Sequence, residues 1–111
     1  MVRTLLILLS LAAADQPLTL TGWVSDASCG ARHTKPGGED CVRKCIAGAV
    51  HLNPDWKPQK MVFVTDGDQR TWIVENPEAL QGHEGRHVEI TGRVDAAKNS
   101  VRVTRAARLD R

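Results

Sequence analysis

Aromatic side chains are scarce in this 111-residue chain: tyrosine is absent, phenylalanine occurs once and tryptophan three times. Four rings barely furnish one small core, so a broad stacking platform for nucleobases or sugars is excluded. Excess charge of either sign is missing too. Fifteen basic against thirteen acidic residues leave a formal +2, which supports no general affinity for polyanions. Arg86, Arg93, Arg102, Arg105, Arg108 and Arg111 crowd the C-terminal stretch, but Glu84, Glu89, Asp95 and Asp110 accompany them. That mixture reads as a solvated strand face, and no nucleic-acid partner is expected.

Long hydrophobic runs are also lacking. The longest, Leu5 to Ala14, spans about ten residues where a membrane-crossing helix needs about 20. It follows Met-Val-Arg and ends in Ala-Ala-Ala, the layout of a basic n-region, an apolar h-region and a small-residue cleavage site. Residues 1–14 are therefore expected to be a signal peptide and 15–111 a single periplasmic or secreted domain with no membrane span. Catalytic signatures are missing as well. No Cys-x-x-Cys in a βαβ setting, no glycine-rich phosphate loop and no nucleophile flanked by a base and an acid is present, so no enzyme is expected.

What is present is a series of short strands. Leu18 to Asp26 alternates at period two, placing Leu18, Leu20 and Val24 inward, with a bulge or bend at Gly22. Met61–Thr65 and Gln69–Glu75 flank an Asp66-Gly67-Asp68 turn and read as a hairpin. Asn76 to Gln81 is one helical turn begun by Pro77, and two further strands, 86–94 and 100–109, surround a polar turn. Between the first strand and the hairpin, Asp40 is the expected N-cap of a short helix, Cys41 to Ala47, closed by Gly48. The expected fold is all-β with short helices: a five-stranded OB-fold-like Greek-key barrel with a cysteine-bearing helical insertion after strand 1. Alternation establishes strands rather than closure, so an open sandwich or split sheet is the alternative.

All three cysteines fall between Cys29 and Cys45, with His33 among them. Cys41 and Cys45 are four apart on the expected helix and share one face about 6 Å apart at Cβ. Pro36-Gly37-Gly38 lets the loop fold Cys29 and His33 back over that face. Three thiolates and an imidazole form a tetrahedral donor set for zinc or a soft set for monovalent copper. An oxidising compartment points instead to a disulfide, Cys29 with Cys41 or Cys45, leaving one spare thiol. Both readings stay open.

Taken together, Cys29-Gly30-x-x-His33 followed by Cys41-x-x-x-Cys45, the hairpin around Asp66-Gly67 and the segment Leu80 to Gly92 resemble small exported bacterial proteins of uncharacterised function with OB-fold-like architecture. The resemblance covers nearly all of the mature chain. It implies a fold and a location, and it implies no activity.

Two further features need a reading. His83-Glu84-Gly85-Arg86-His87 matches the His-Glu-x-x-His signature of zinc proteases, but that chemistry requires a helix placing both imidazoles on one side. Gly82 and Gly85 break a helix and a strand follows at once, so the match is expected to be fortuitous. Among the aromatics, Trp23 lies on the strand face opposite Leu20 and Val24, and Trp56 stands between two prolines, so these two are the candidates for a small ligand-binding surface. The expected function is a non-enzymatic exported binding module whose cysteine corner holds zinc or copper; the alternative is a structural or interaction domain stapled by a disulfide.

Overall fold

The computed structural model describes residues 17–30, 34–47 and 58–110; the expected signal peptide, His33, Gly48 and Trp56 lie outside the described residues. In chain order the elements are β1 (Leu18–Asp26), α1 (Glu39–Ala47), β2 (Met61–Thr65), β3 (Thr71–Val74), a 3₁₀ turn (Pro77–Leu80), β4 (His87–Asp95) and β5 (Ser100–Arg108). The protein is mostly β, with one α-helix among the described residues. β1 pairs antiparallel with β4 along Leu18–Trp23 and with β2 along Gly22–Asp26. β2 pairs with β3 and β4 with β5, both antiparallel, and a short parallel ladder joins β3 to β5 at Ile73 and Val74. The five strands thus follow one another in a closed ring, β1-β2-β3-β5-β4.

β1 serves two partners because Gly22 belongs to both ladders, opposite Thr65 on one side and Val88 on the other. A Cβ at Gly22 would lie 2.1 Å from the Val64 carbonyl oxygen and 2.8 Å from Phe63 Cζ, so only glycine lets β2 approach this closely. Of the bulge or bend expected at Gly22, the bulge is not there: both registers run through Gly22 unbroken, and the irregularity falls at Thr91/Gly92 in the β4–β5 ladder.

The inner face gathers Val24, Met61, Phe63, Trp72, Val74, Leu80, Val88, Ile90, Val101 and Val103, with Leu20 and Ile46 packed against them. Phe63, Leu80 and Ile90 are fully enclosed, each contributing about 1.5–3 kcal/mol of burial. Leu18, expected inside, is 46% exposed. It lies beyond the end of the β1–β2 ladder, so among the described residues only β4 pairs beside it. The helix also departs from expectation. The Val42 amide donates to the Gly38 carbonyl at 3.0 Å, so α1 starts at Glu39. Asp40 is then inside the first turn, where it pairs with Lys44 at 3.4 Å instead of capping.

The parallel β3–β5 seam is only two residue pairs long, and a side chain extends it. Asn76 Nδ2 donates to the Val103 carbonyl at 2.7 Å while its Oδ1 accepts the Val103 amide at 2.8 Å, both buried. Its amide thus copies a strand residue just where β3 has ended. Asn76→Ala strands two buried backbone groups at about 1–3 kcal/mol each. A loss of about 3 kcal/mol is expected, which for a domain of this size lowers Tm by more than about 10 °C. A thermal scan within about 3 °C of the parent would show that the ring is held closed elsewhere.

Candidate metal centre

Asp26 ends β1 and organises the turn after it. Its Oδ1 accepts the amides of Ser28 at 3.1 Å and Cys29 at 3.0 Å and the Ser28 hydroxyl as well. This is an Asx-type turn, in which a carboxylate satisfies the amides of a chain that is leaving a strand. Ser25 Oγ completes it by donating to the Gly30 carbonyl at 2.9 Å. The turn fixes Cys29 at the foot of β1, and Ser28 Oγ lies 3.8 Å from its sulfur.

The other two sulfurs come from α1, which is pinned at both ends. At its start, the 83–86 turn packs so closely that a Cβ on Gly85 would fall 2.4 Å from Glu39 Cα. That turn is itself tied to β1, with the Gly85 amide donating to the Val24 carbonyl at 2.8 Å and the Val24 amide to the Arg86 carbonyl at 3.1 Å. Arg86 also pairs with Glu39 at 3.2 Å, both partly buried. At its end, the Cys45 carbonyl accepts the Gln59 amide at 2.9 Å. Val42 is fully buried beneath the helix, and Cys45, on the same side, is 7% exposed. Cys41, one turn earlier, is exposed.

The result is a triangle of three free thiols, Cys29, Cys41 and Cys45, with Sγ atoms all within 4.8 Å of one another. Four-coordinate zinc with Zn–S bonds of about 2.3 Å needs sulfurs about 3.8 Å apart, and these sulfurs already lie within 4.8 Å of one another. The cluster can therefore hold a metal ion, and no disulfide joins its members. Burial pushes the Cys45 thiol above its ordinary range, and the nearby Asp26 carboxylate raises it further, while the Ser28 hydroxyl works the other way. Binding an ion here must expel that proton.

Asp26 was not legible as part of this corner. It is fully buried, and its Oδ2 has no hydrogen-bond partner. The signal available was its place two residues before Ser28 and three before Cys29, the spacing of an Asx turn. Gly85 was legible only as a helix breaker; its tight fit under α1 is a tertiary contact.

The remaining sequence candidates fall elsewhere. His83 lies in a turn and His87 opens β4, so the two imidazoles share no helix face and neither joins the thiols. His87 Nε2 instead meets Asp66 Oδ2 at 2.7 Å, and its ring stacks on its cross-strand partner Trp23, centroids 4.7 Å apart and planes 17° from parallel. Trp23 stands outside the core cluster, as its parity requires, yet it is only 8% exposed because His87 covers the face a ligand would stack on. An open cleft of about 220 Å³ lined by Ile46, Met61, Pro77, Glu78, Gln81 and Glu84 contains neither a thiol nor an imidazole. Among the described residues no helix is long and apolar enough to cross a membrane. No family model, curated protein or solved structure matches the chain.

Proposed function

We propose that this chain is an exported, non-enzymatic binding module that holds one soft transition-metal ion, zinc or copper, on the thiolates of Cys29, Cys41 and Cys45, with His33 as the fourth donor expected from the sequence. The observation that carries this is the sulfur triangle itself. Three free thiols from two separate elements converge within 4.8 Å, and thiolate sets of this kind select zinc or monovalent copper. The ring order with a 3₁₀ turn between β3 and β4 supports an OB-fold-like Greek-key barrel as the frame. Export rests on the basic, apolar and small-residue layout of residues 1–14.

Protein purified without added metal is expected to carry about one equivalent of zinc or copper. After stripping, cobalt(II) should restore thiolate-to-metal absorption that saturates at one equivalent. Alkylation of the metal-free, unreduced protein is expected to count three free thiols. One free thiol before reduction and three after would assign the corner to a disulfide and overturn the metal reading.

A further inference from the structure

The donor triangle does not by itself say which ion it prefers, but the carboxylate behind it does. Asp26 is fully buried, its Oδ1 is taken up by the Ser28 and Cys29 amides and the Ser28 hydroxyl, and its Oδ2 is left without a partner. Among the described residues no lysine, arginine or histidine forms an ion pair with it. A buried charge with a bare oxygen is costly unless a cation stands nearby. The Ser28 hydroxyl links this carboxylate to the corner, donating to Asp26 Oδ1 and lying 3.8 Å from Cys29 Sγ.

We propose that Asp26 is the selectivity residue of the metal centre: it biases the three-thiolate corner toward a divalent ion of the zinc type and against monovalent copper. This rests on the metal reading given above. Three thiolates and one carboxylate sum to four negative charges, so a divalent ion leaves two uncompensated where a monovalent ion leaves three. Asp26 acts through position and charge rather than as a donor to the ion, in the way outer carboxylates tune metal sites. Coulomb energy scales with the charge of the ion, so Asp26 contributes twice as much to the logarithm of zinc affinity as to that of copper(I).

The experiment compares the full chain with Asp26→Asn and Asp26→Ser, both neutral and both keeping an oxygen for the Ser28 and Cys29 amides. Metal-free Tm, zinc affinity and copper(I) affinity are measured, the last two by chelator competition, copper under anaerobic reduction. The metal-free variants are expected to melt higher than the parent, because a buried unpartnered charge is gone. Zinc affinity is expected to fall about 10–100-fold, the usual effect of removing an outer-shell partner. Copper(I) affinity should fall only about 3–10-fold, the square root of that factor, so the zinc preference narrows. A lower metal-free Tm with unchanged affinities would make Asp26 a turn former only and overturn the proposal while leaving the metal reading intact. An equal loss for both ions would overturn it likewise. Failure of both neutral variants to fold would also overturn it, since a charge that only burdens the metal-free state cannot be required for folding. A parent chain that binds neither ion would remove the metal reading and this inference with it.

Discussion

Gly85→Ala is expected to undock helix α1 and abolish high-affinity metal binding, although residue 85 touches no sulfur. Two penalties coincide at this position. The backbone holds φ +74, where a Cβ costs about 1–2 kcal/mol. That Cβ would also lie 2.4 Å from Glu39 Cα and 2.6 Å from Glu39 N, backbone atoms that cannot rotate away, and overpacking of this kind adds about 1–3 kcal/mol. The sum of about 2–5 kcal/mol falls on a nine-residue helix, a length far too short to persist without its packing face. Gly82 supplies the control. It has φ +91, but a methyl group there would meet nothing within 4 Å, so Gly82→Ala carries the backbone cost alone, about 1–2 kcal/mol. Far-ultraviolet circular dichroism and zinc titration of the two variants separate the effects. Similar behaviour of Gly82→Ala and Gly85→Ala would mean that contact with α1 is unimportant and that backbone strain alone acts.

The β-elements were legible in the sequence because their signals are local. Alternation at period two placed β1 over Leu18–Asp26, the span it occupies, and Asp66-Gly67 marked the β2–β3 hairpin. What could not be read is anything decided by which strand lies beside which. Leu18 carries the same alternation as Val24, yet one is 46% exposed and the other fully buried, because Leu18 has only the β4 ladder beside it among the described residues, whereas Val24 pairs with Phe63 of β2 and is bonded on its other side by Gly85 and Arg86. Asn76 looked like the residue before a first-turn proline; its buried bond pair to Val103 spans 27 positions. Helix α1 was found at nearly its true place, but it begins at Glu39 rather than Cys41, where its first residue packs against Gly85, a tertiary contact no local pattern reveals.

The candidate site divides along the same line. Cys41 and Cys45 on one helical face follow from spacing alone, and the glycine-rich bend at 36–38 made the return of Cys29 foreseeable. The contribution of Asp26 did not follow, since an acid at the end of a strand has many uses and only burial distinguishes this one. The His-Glu-x-x-His match shows the reverse. Its letters suggested a metal site, whereas its glycine serves as the floor beneath α1, and His87 closes over Trp23. Local spacing brought Cys41 and Cys45 together because a helix fixes their relative placement, and the histidine match was rightly set aside because no helix holds His83 and His87.

Cys41→Ala and Cys45→Ala are expected to damage metal binding equally and metal-free stability unequally. Structural zinc on four ligands is worth about 10–16 kcal/mol, so one ligand contributes roughly 3–4 kcal/mol, or about 100–1,000-fold in affinity. Either substitution breaks the same triangle and should show that loss by chelator competition. Without metal the two positions differ. Cys41 is exposed, and its truncation should leave stability within about 0.5 kcal/mol. Cys45 is 7% exposed beside the buried Val42, so losing its sulfur should cost about 1 kcal/mol, lowering the metal-free Tm by about 4–8 °C. The zinc-induced rise in Tm, which mass action makes proportional to the logarithm of the ratio of free zinc to Kd, should then shrink by the same amount in both variants, although they start from different baselines. Retention of full affinity by Cys41→Ala would show that the exposed sulfur is no ligand and that the corner is a packed pair of thiols with a neighbour. Equal metal-free melting with a shared loss of affinity would instead place both sulfurs in the site and remove Cys45 from the packing of the fold.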